Sequence, residues 1–159
     1  MRFRIIVLLG FSFILFSCEV SIQTGLDQLK KTDFQILQGK KIGLVVNHTS
    51  VDENGTHIIQ LLAKQKKVKL PAIFAPEHGF EGTFSAGETV LDDIDSQSGI
   101  KIVSLYGSKK YPTKAELANI DILVCDIQDI GSRYYTYVST IANVMDAAAL
   151  NNIPVVILD

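Results

Sequence analysis

The chain has 159 residues, 47% of them hydrophobic, and a formal net charge of −2. A chain of this length supports one ordinary core, and the near-balanced charge without a long basic run excludes nucleic acid as a partner. Its two cysteines and three histidines show no paired spacing and exclude a zinc-finger type of site.

The first residues differ in character from the rest. Arg2 and Arg4 precede an apolar run over 5–16, which is followed by Ser17 and Cys18. A charged start and a short apolar run form an export signal, too short to span a bilayer comfortably. Leu15-Phe16-Ser17-Cys18 is similar to a bacterial lipobox, whose cysteine is lipidated once the preceding residues are removed. The expectation is a lipoprotein signal peptide over 1–17 and a tether over 18–24 with Cys18 lipidated. A folded domain over 25–159 then faces the cell envelope from a membrane anchor. Cys125, inside the apolar run 122–125, has no disulfide partner and fits a small buried hydrophobe.

Beyond the tether, Leu26, Leu29, Phe34, Ile36 and Leu37 predict a turn or two of helix, interrupted at Gly39-Lys40-Lys41. The first strand covers 42–46 and ends at Asn47-His48-Thr49-Ser50. After a turn over 52–55, Thr56 is placed to cap a helix carrying Ile58, Ile59, Leu61 and Leu62. The cluster KQKK at 64–67 closes that helix as a solvated end.

The second strand, 69–74, stops at Pro76, and Glu77, His78 and Glu81 then crowd around Gly79 and Gly82. From 81 to 99 Gly, Ser, Thr and Asp dominate. A loop of this length inside a compact domain is usually functional. The third strand, 101–105, ends at Tyr106-Gly107, and Thr113 with Glu116 has capping-box spacing at the start of a short helix. The fourth strand, 122–125, gives way to Asp126, Gln128 and Asp129. Tyr134, Tyr137, Val138, Ile141, Val144, Met145 and Ala148 then recur at helical spacing and predict one apolar face, with Ser139, Thr140, Asn143 and Asp146 opposite. The fifth strand, 153–158, ends at Asp159.

Strands alternating with helices predict an α/β domain: Rossmann-like, three-layered, with a mainly parallel five-stranded sheet and right-handed crossovers. The loops leaving such strands share one edge, and Asn47-His48, Glu77-His78, Tyr106-Gly107, Asp126-Gln128-Asp129 and Asp159 all fall there. No dinucleotide glycine pattern, P-loop or G-x-S-x-G elbow is present. Phosphate at the start of the long helix, beside Arg133, keeps a nucleotide- or phosphosugar-binding domain as an alternative. A non-catalytic lipoprotein that binds cell-wall sugars is another.

Carboxylates suit glycoside hydrolysis, which needs a proton donor at the leaving oxygen and a group to handle the oxocarbenium-like carbon. Glu77, shielded by Pro76 and Phe74, fits an acid kept protonated by partial burial, with Asp126, Asp129 or Glu81 as the opposing carboxylate. Tyr134, Tyr135 and Tyr137 offer flat faces to a sugar ring, although Tyr134 and Tyr137 fit the helix's core face equally well.

The stretches GLDQL (25–29), GKKIGLVVNHTSVD (39–52), FAPEHGFEG (74–82), AGE (86–88), SLYG (104–107), DIQDIGSRYYTYVST (126–140) and IPVVILD (153–159) together resemble the exo-β-N-acetylmuramidase family of glycoside hydrolases, long catalogued only as a domain of unknown function. The resemblance implies release of N-acetylmuramic acid from the non-reducing ends of peptidoglycan fragments, with no metal or organic cofactor. It makes Glu77 the catalytic acid and places Asn47, His78, Gln128, Asp129, Arg133 and Tyr137 around the sugar. It also implies a C-terminal domain following the strand at which this sequence stops. A guanidinium at Arg133 suits the lactyl carboxylate of muramic acid.

Overall fold

The computed structural model describes residues 22–85, 88 and 91–158. The signal segment 1–17, the lipidation site Cys18 and Asp159 lie outside the described residues, and with them the expectations placed there.

Among the described residues six strands form one sheet in the order β3-β4-β2-β1-β5-β6. They are β1 (Lys41–Val46), β2 (Lys69–Ala75), β3 (Asp93–Ile94), β4 (Lys101–Ser104), β5 (Ile122–Asp126) and β6 (Val155–Ile157). β1 pairs in parallel with β2 and β5, β2 with β4, and β5 with β6. These are the five strands the sequence predicts. β3 is the addition: it runs antiparallel to β4 and consists of two exposed residues inside the polar 81–99 loop, so no apolar run announces it.

β1 is the centre of the sheet, with Leu44 level with Ile73 on one side and Val124 on the other. Strands covered on both faces read as continuous apolar runs, and every residue of β1 after Lys41 is buried. Side chains alternate between the faces. Leu44, Val46, Ile73 and Val124 pack with Leu26 and Leu29 of α1 (Gly25–Lys31) and Ile58 and Leu62 of α2 (Ile58–Ala63). Val45, Phe74, Leu123 and Cys125 pack with Leu117 of α3 (Lys114–Leu117) and Tyr137, Val144 and Ala148 of α4 (Tyr137–Leu150). The three layers follow, and Cys125 is the buried hydrophobe expected, its thiol pushed up to about 12 by burial.

The capping box predicted at Thr113 and Glu116 forms on α3, and Thr24 with Asp27 forms another on α1. The cap of α2 is His57, not Thr56: the His57 Nδ1 accepts from Ile59 N at 3.3 Å. Thr56 is committed to the preceding turn, where its amide donates to Asp52 Oδ1 and its carbonyl accepts from Asp52 N.

The buried face of α4 is also rotated from the one predicted. Tyr137, Thr140, Val144, Ala147 and Ala148 are buried, whereas Val138 and Met145 are exposed and Tyr134 precedes the helix altogether. Two alanines and a threonine take buried positions, and the larger apolar residues Val138 and Met145 are left on the flank.

Candidate active site

The loop after β2 is tied back on itself. Gly79 N donates to Pro76 O, Phe84 N donates to His78 O, and the His78 ring Nδ1 lies 2.8 Å from Phe84 O. A carbonyl only accepts, so Nδ1 carries the hydrogen of this bond. His78 has φ 69°, a left-handed conformation that histidine tolerates better than most residues. Gly82, at φ +69°, has no such latitude: a Cβ there would collide with the ring of His48, which lies against it.

This loop presents Glu77 half-buried at the carboxyl edge of the sheet. Thr136 Oγ1 donates to Glu77 Oε2 at 2.7 Å, and Tyr137 OH donates to the Glu77 carbonyl at 3.4 Å. The Tyr137 hydroxyl in turn accepts from Asn47 Nδ2 at 3.0 Å. The ends of β1 and β2 and the start of α4 are thereby joined through one hydrogen-bonded chain. Thr136 is the N-cap residue of α4 yet makes no capping bond within the helix, because its hydroxyl is given to Glu77. A hydroxyl donates to a carboxylate and accepts from a carboxylic acid, so it serves Glu77 in either state.

Asn47 is 1% exposed, and its other groups are also engaged. Its Oδ1 accepts from Thr49 N and Thr49 Oγ1, and its carbonyl accepts from the His57 Nε2 at 2.8 Å. His57 thus donates through Nε2 and accepts through Nδ1, the neutral ring, and burial holds its pKa below the ordinary value. Asn47 supports the site from beneath. Tyr137 is buried as well, its phenol pushed up by burial, with Tyr135 meeting it edge-on at 4.6 Å.

Gln128, Asp129 and Arg133 are exposed on the 127–136 loop, which joins β5 to α4 and delivers Thr136 and Tyr137 to Glu77. Asp129 Oδ1 accepts from Gly131 N at 2.7 Å and shapes the loop. Among the described residues Arg133 makes no ion pair, so its guanidinium is available to a ligand. Tyr134 is 94% exposed and presents its ring to solvent.

Of the carboxylates weighed as the opposing group, Glu81 and Asp129 are exposed and Asp126 is 3% exposed. Asp126 faces the α1 side, like Val124 two residues before it, and Ser50 Oγ donates to its carbonyl. Its Oδ2 has no hydrogen-bond partner among the described residues. Burial pushes its carboxyl up to about 7, against a lowering contact with Gln128 and with a further push from Asp27. Thr136 is the site residue that the sequence reading did not single out. A threonine just before a helix looks like a cap, and nothing in the chain marks its hydroxyl as turned outward.

The family model described as exo-β-N-acetylmuramidase NamZ, N-terminal, matches residues 42–159. The chain belongs to the NamZ family. It is 44% identical over 138 residues to the peptidoglycan β-N-acetylmuramidase NamZ of Bacillus subtilis (strain 168), a match covering 87% of this chain and 33% of that protein. Two solved structures of DUF1343 family proteins from Bacteroides fragilis NCTC 9343 are similar to it. One has TM-score 0.78 at 42% identity and the other 0.69 at 37%, each covering 86% of this chain and 34% of the other. The chain thus spans about a third of the length of the NamZ relatives it matches. Asn47, Glu77, Thr136 and Tyr137 all fall inside the NamZ match.

Proposed function

We propose that the protein is an exo-acting glycosidase that releases N-acetylmuramic acid from the non-reducing ends of peptidoglycan fragments, in cell-wall turnover and recycling. The observation that carries this is Glu77, a half-buried carboxyl held by Thr136 at the carboxyl edge of the sheet, in a chain of the NamZ family. A relative bearing the name peptidoglycan β-N-acetylmuramidase supports the substrate class.

Glu77 delivers a proton to the leaving oxygen as the glycosidic bond breaks. Arg133, exposed beside the start of α4, takes the lactyl carboxylate, and Tyr134 offers a ring for the sugar to stack on. His78, next to Glu77 in the chain, is fixed by its bond to Phe84. Gln128 and Asp129 line the approach from the β5 loop, and Asn47 and Tyr137 hold the site from below.

Glu77→Gln tests the assignment. General acid catalysis contributes on the order of 10²–10⁴-fold, so cleavage of an unactivated muramic acid disaccharide should fall by that factor while the melting temperature holds. Cleavage unchanged within about threefold rejects Glu77 as the acid. Turnover lost with muramic acid still bound is the expected pattern.

We also propose that lipidation of Cys18 anchors the protein to a membrane of the bacterial envelope, on the evidence of the charged start, the short apolar run and the lipobox-like 15–18. The protein should enter the detergent phase of a partition assay and Cys18→Ala should not. Equal partitioning of the two forms rejects the anchor.

A further inference from the structure

The carboxyl edge of the sheet has two flanks, and the loops after β1 and β2 serve both. Asn47 and Glu77 turn toward α4, where Tyr137 and Thr136 hold them. His48, next to Asn47 in the chain, and Phe80 and Glu81, three and four residues past Glu77, turn toward α2 and line an open cavity of about 490 Å³, with Gln60, Asp95 and Gln97 also lining it. Phe80 packs against the α1–α2 side of the core and meets the His57 ring at 84°, with centroids 5.4 Å apart. The volume lies within the range of small-ligand sites.

The lining has a definite chemistry. Val51, Ile59 and Phe80 supply an apolar wall. The carboxylates are Glu81 and Asp95, and among the described residues no lysine or arginine lines the cavity, so an anion is disfavoured. Asp95 already accepts from Ser98 N at 2.8 Å, and both nitrogens of His57 are engaged. The side chains of His48, Gln60, Glu81 and Gln97 have no hydrogen bond among the described residues. An apolar wall for the C–H face of a pyranose, rimmed by amides, a carboxylate and an imidazole for its hydroxyls, fits a neutral sugar.

Charge is segregated across Glu77. Arg133 stands exposed beside α4 on one flank, and the acidic cavity lies against α2 on the other. A disaccharide of N-acetylmuramic acid followed by N-acetylglucosamine has the same polarity, with an anionic non-reducing unit and a neutral one after it.

We propose that the cavity on the α2 flank is the leaving-group subsite and takes the neutral N-acetylglucosamine unit beyond the scissile bond. This rests on the muramidase reading and gives the substrate a direction: non-reducing end toward α4 and Arg133, reducing end toward α2, with the bond crossing at Glu77.

Backbone-amide NMR on the isotope-labelled protein tests the subsite without requiring turnover. Methyl β-N-acetylglucosaminide at millimolar concentration should shift the amides of Gln60, Phe80, Gln97 and Ser98. N-acetylmuramic acid should shift amides of the 127–136 loop instead. Gln60→Trp fills the cavity from α2 and should weaken the glucosaminide at least about tenfold while leaving muramic acid binding intact. Gln97→Trp intrudes from the 95–98 segment and should do the same, so failure of one variant to fold does not remove the test. Glucosaminide shifts that are absent, that fall outside the cavity, or that survive both tryptophans overturn the subsite. Muramic acid that fails to shift the 127–136 loop, with the glucosaminide still in the cavity, overturns the muramidase reading and leaves a neutral-sugar site.

Discussion

A threonine at the start of a helix ordinarily turns its hydroxyl inward to cap an amide, and losing such a cap costs about 1 kcal/mol. Thr136 caps nothing, so its removal should disturb Glu77 and leave α4 intact. Thr136→Val keeps the shape and deletes the donor. One hydrogen bond to a charged group is worth roughly 1.5–3 kcal/mol, so kcat/KM on the muramic acid disaccharide should fall roughly 10- to 150-fold. The melting temperature should hold, and Thr136→Ser should restore most of the rate. A melting temperature that falls with the rate, and that serine does not repair, would make Thr136 a structural residue. At this scale the sequence exposes what is chemically loud. Glu77 stands out because it follows an apolar run and a proline, and Arg133 because it precedes a helix. Thr136 is silent, since whether a hydroxyl points in or out depends on a loop 59 positions away in sequence. Asn47 is visible as a polar strand end, yet only the fold shows it satisfied by Thr49 and Tyr137 beneath the site.

The central strand sets the geometry of that edge, and its second buried residue after Lys41 is a glycine. At Gly43 a Cβ would lie 2.7 Å from Leu123 Cδ2 and 2.9 Å from Phe74 Cε2, side chains that close over β1 from both neighbours. Overpacking a core costs typically 1–3 kcal/mol, so Gly43→Ala should lower the unfolding free energy by about that much, measured by urea titration. A neutral or stabilising result would show that the core face above β1 has room to shift. The parallel strands were legible because burial on both faces leaves an apolar run that composition alone reveals. β3 was not, because two exposed residues held by pairing with β4 carry no pattern of their own. The α4 face was half legible. Spacings of three and four fit two adjacent stripes, and the fold buries the one with Thr140 and Ala147 while the one with Val138 and Met145 stays exposed.

For the whole molecule, stability against pH is governed by carboxyls that the net charge conceals. Asp52 is held down at about 2, foremost by its hydrogen bond from Lys30, and its contribution is complete once the pH has risen past the ordinary carboxylate range. Asp126 works in the opposite sense. Folded, it keeps its proton to about 7; unfolded, it releases it near 3.8. Between those values the folded state binds more protons, so each step up in pH favours unfolding, and the loss levels off above about 7. The full span corresponds to roughly 4 kcal/mol, an upper bound because the fold relaxes around a new charge. His57, whose pKa burial depresses, pulls the other way as the pH rises toward its unfolded value, so the wild-type curve alone does not isolate Asp126. Asp126→Asn does isolate it, since asparagine matches the neutral acid in size and stays neutral. Urea unfolding of both forms at about pH 4 should give similar free energies, and at about pH 7.5 the variant should be the more stable by up to the same roughly 4 kcal/mol. A difference between the two that does not change with pH would mean that Asp126 ionises in the fold as freely as in the open chain. Its unpartnered Oδ2 would then be meeting solvent through an opening of the α1 face.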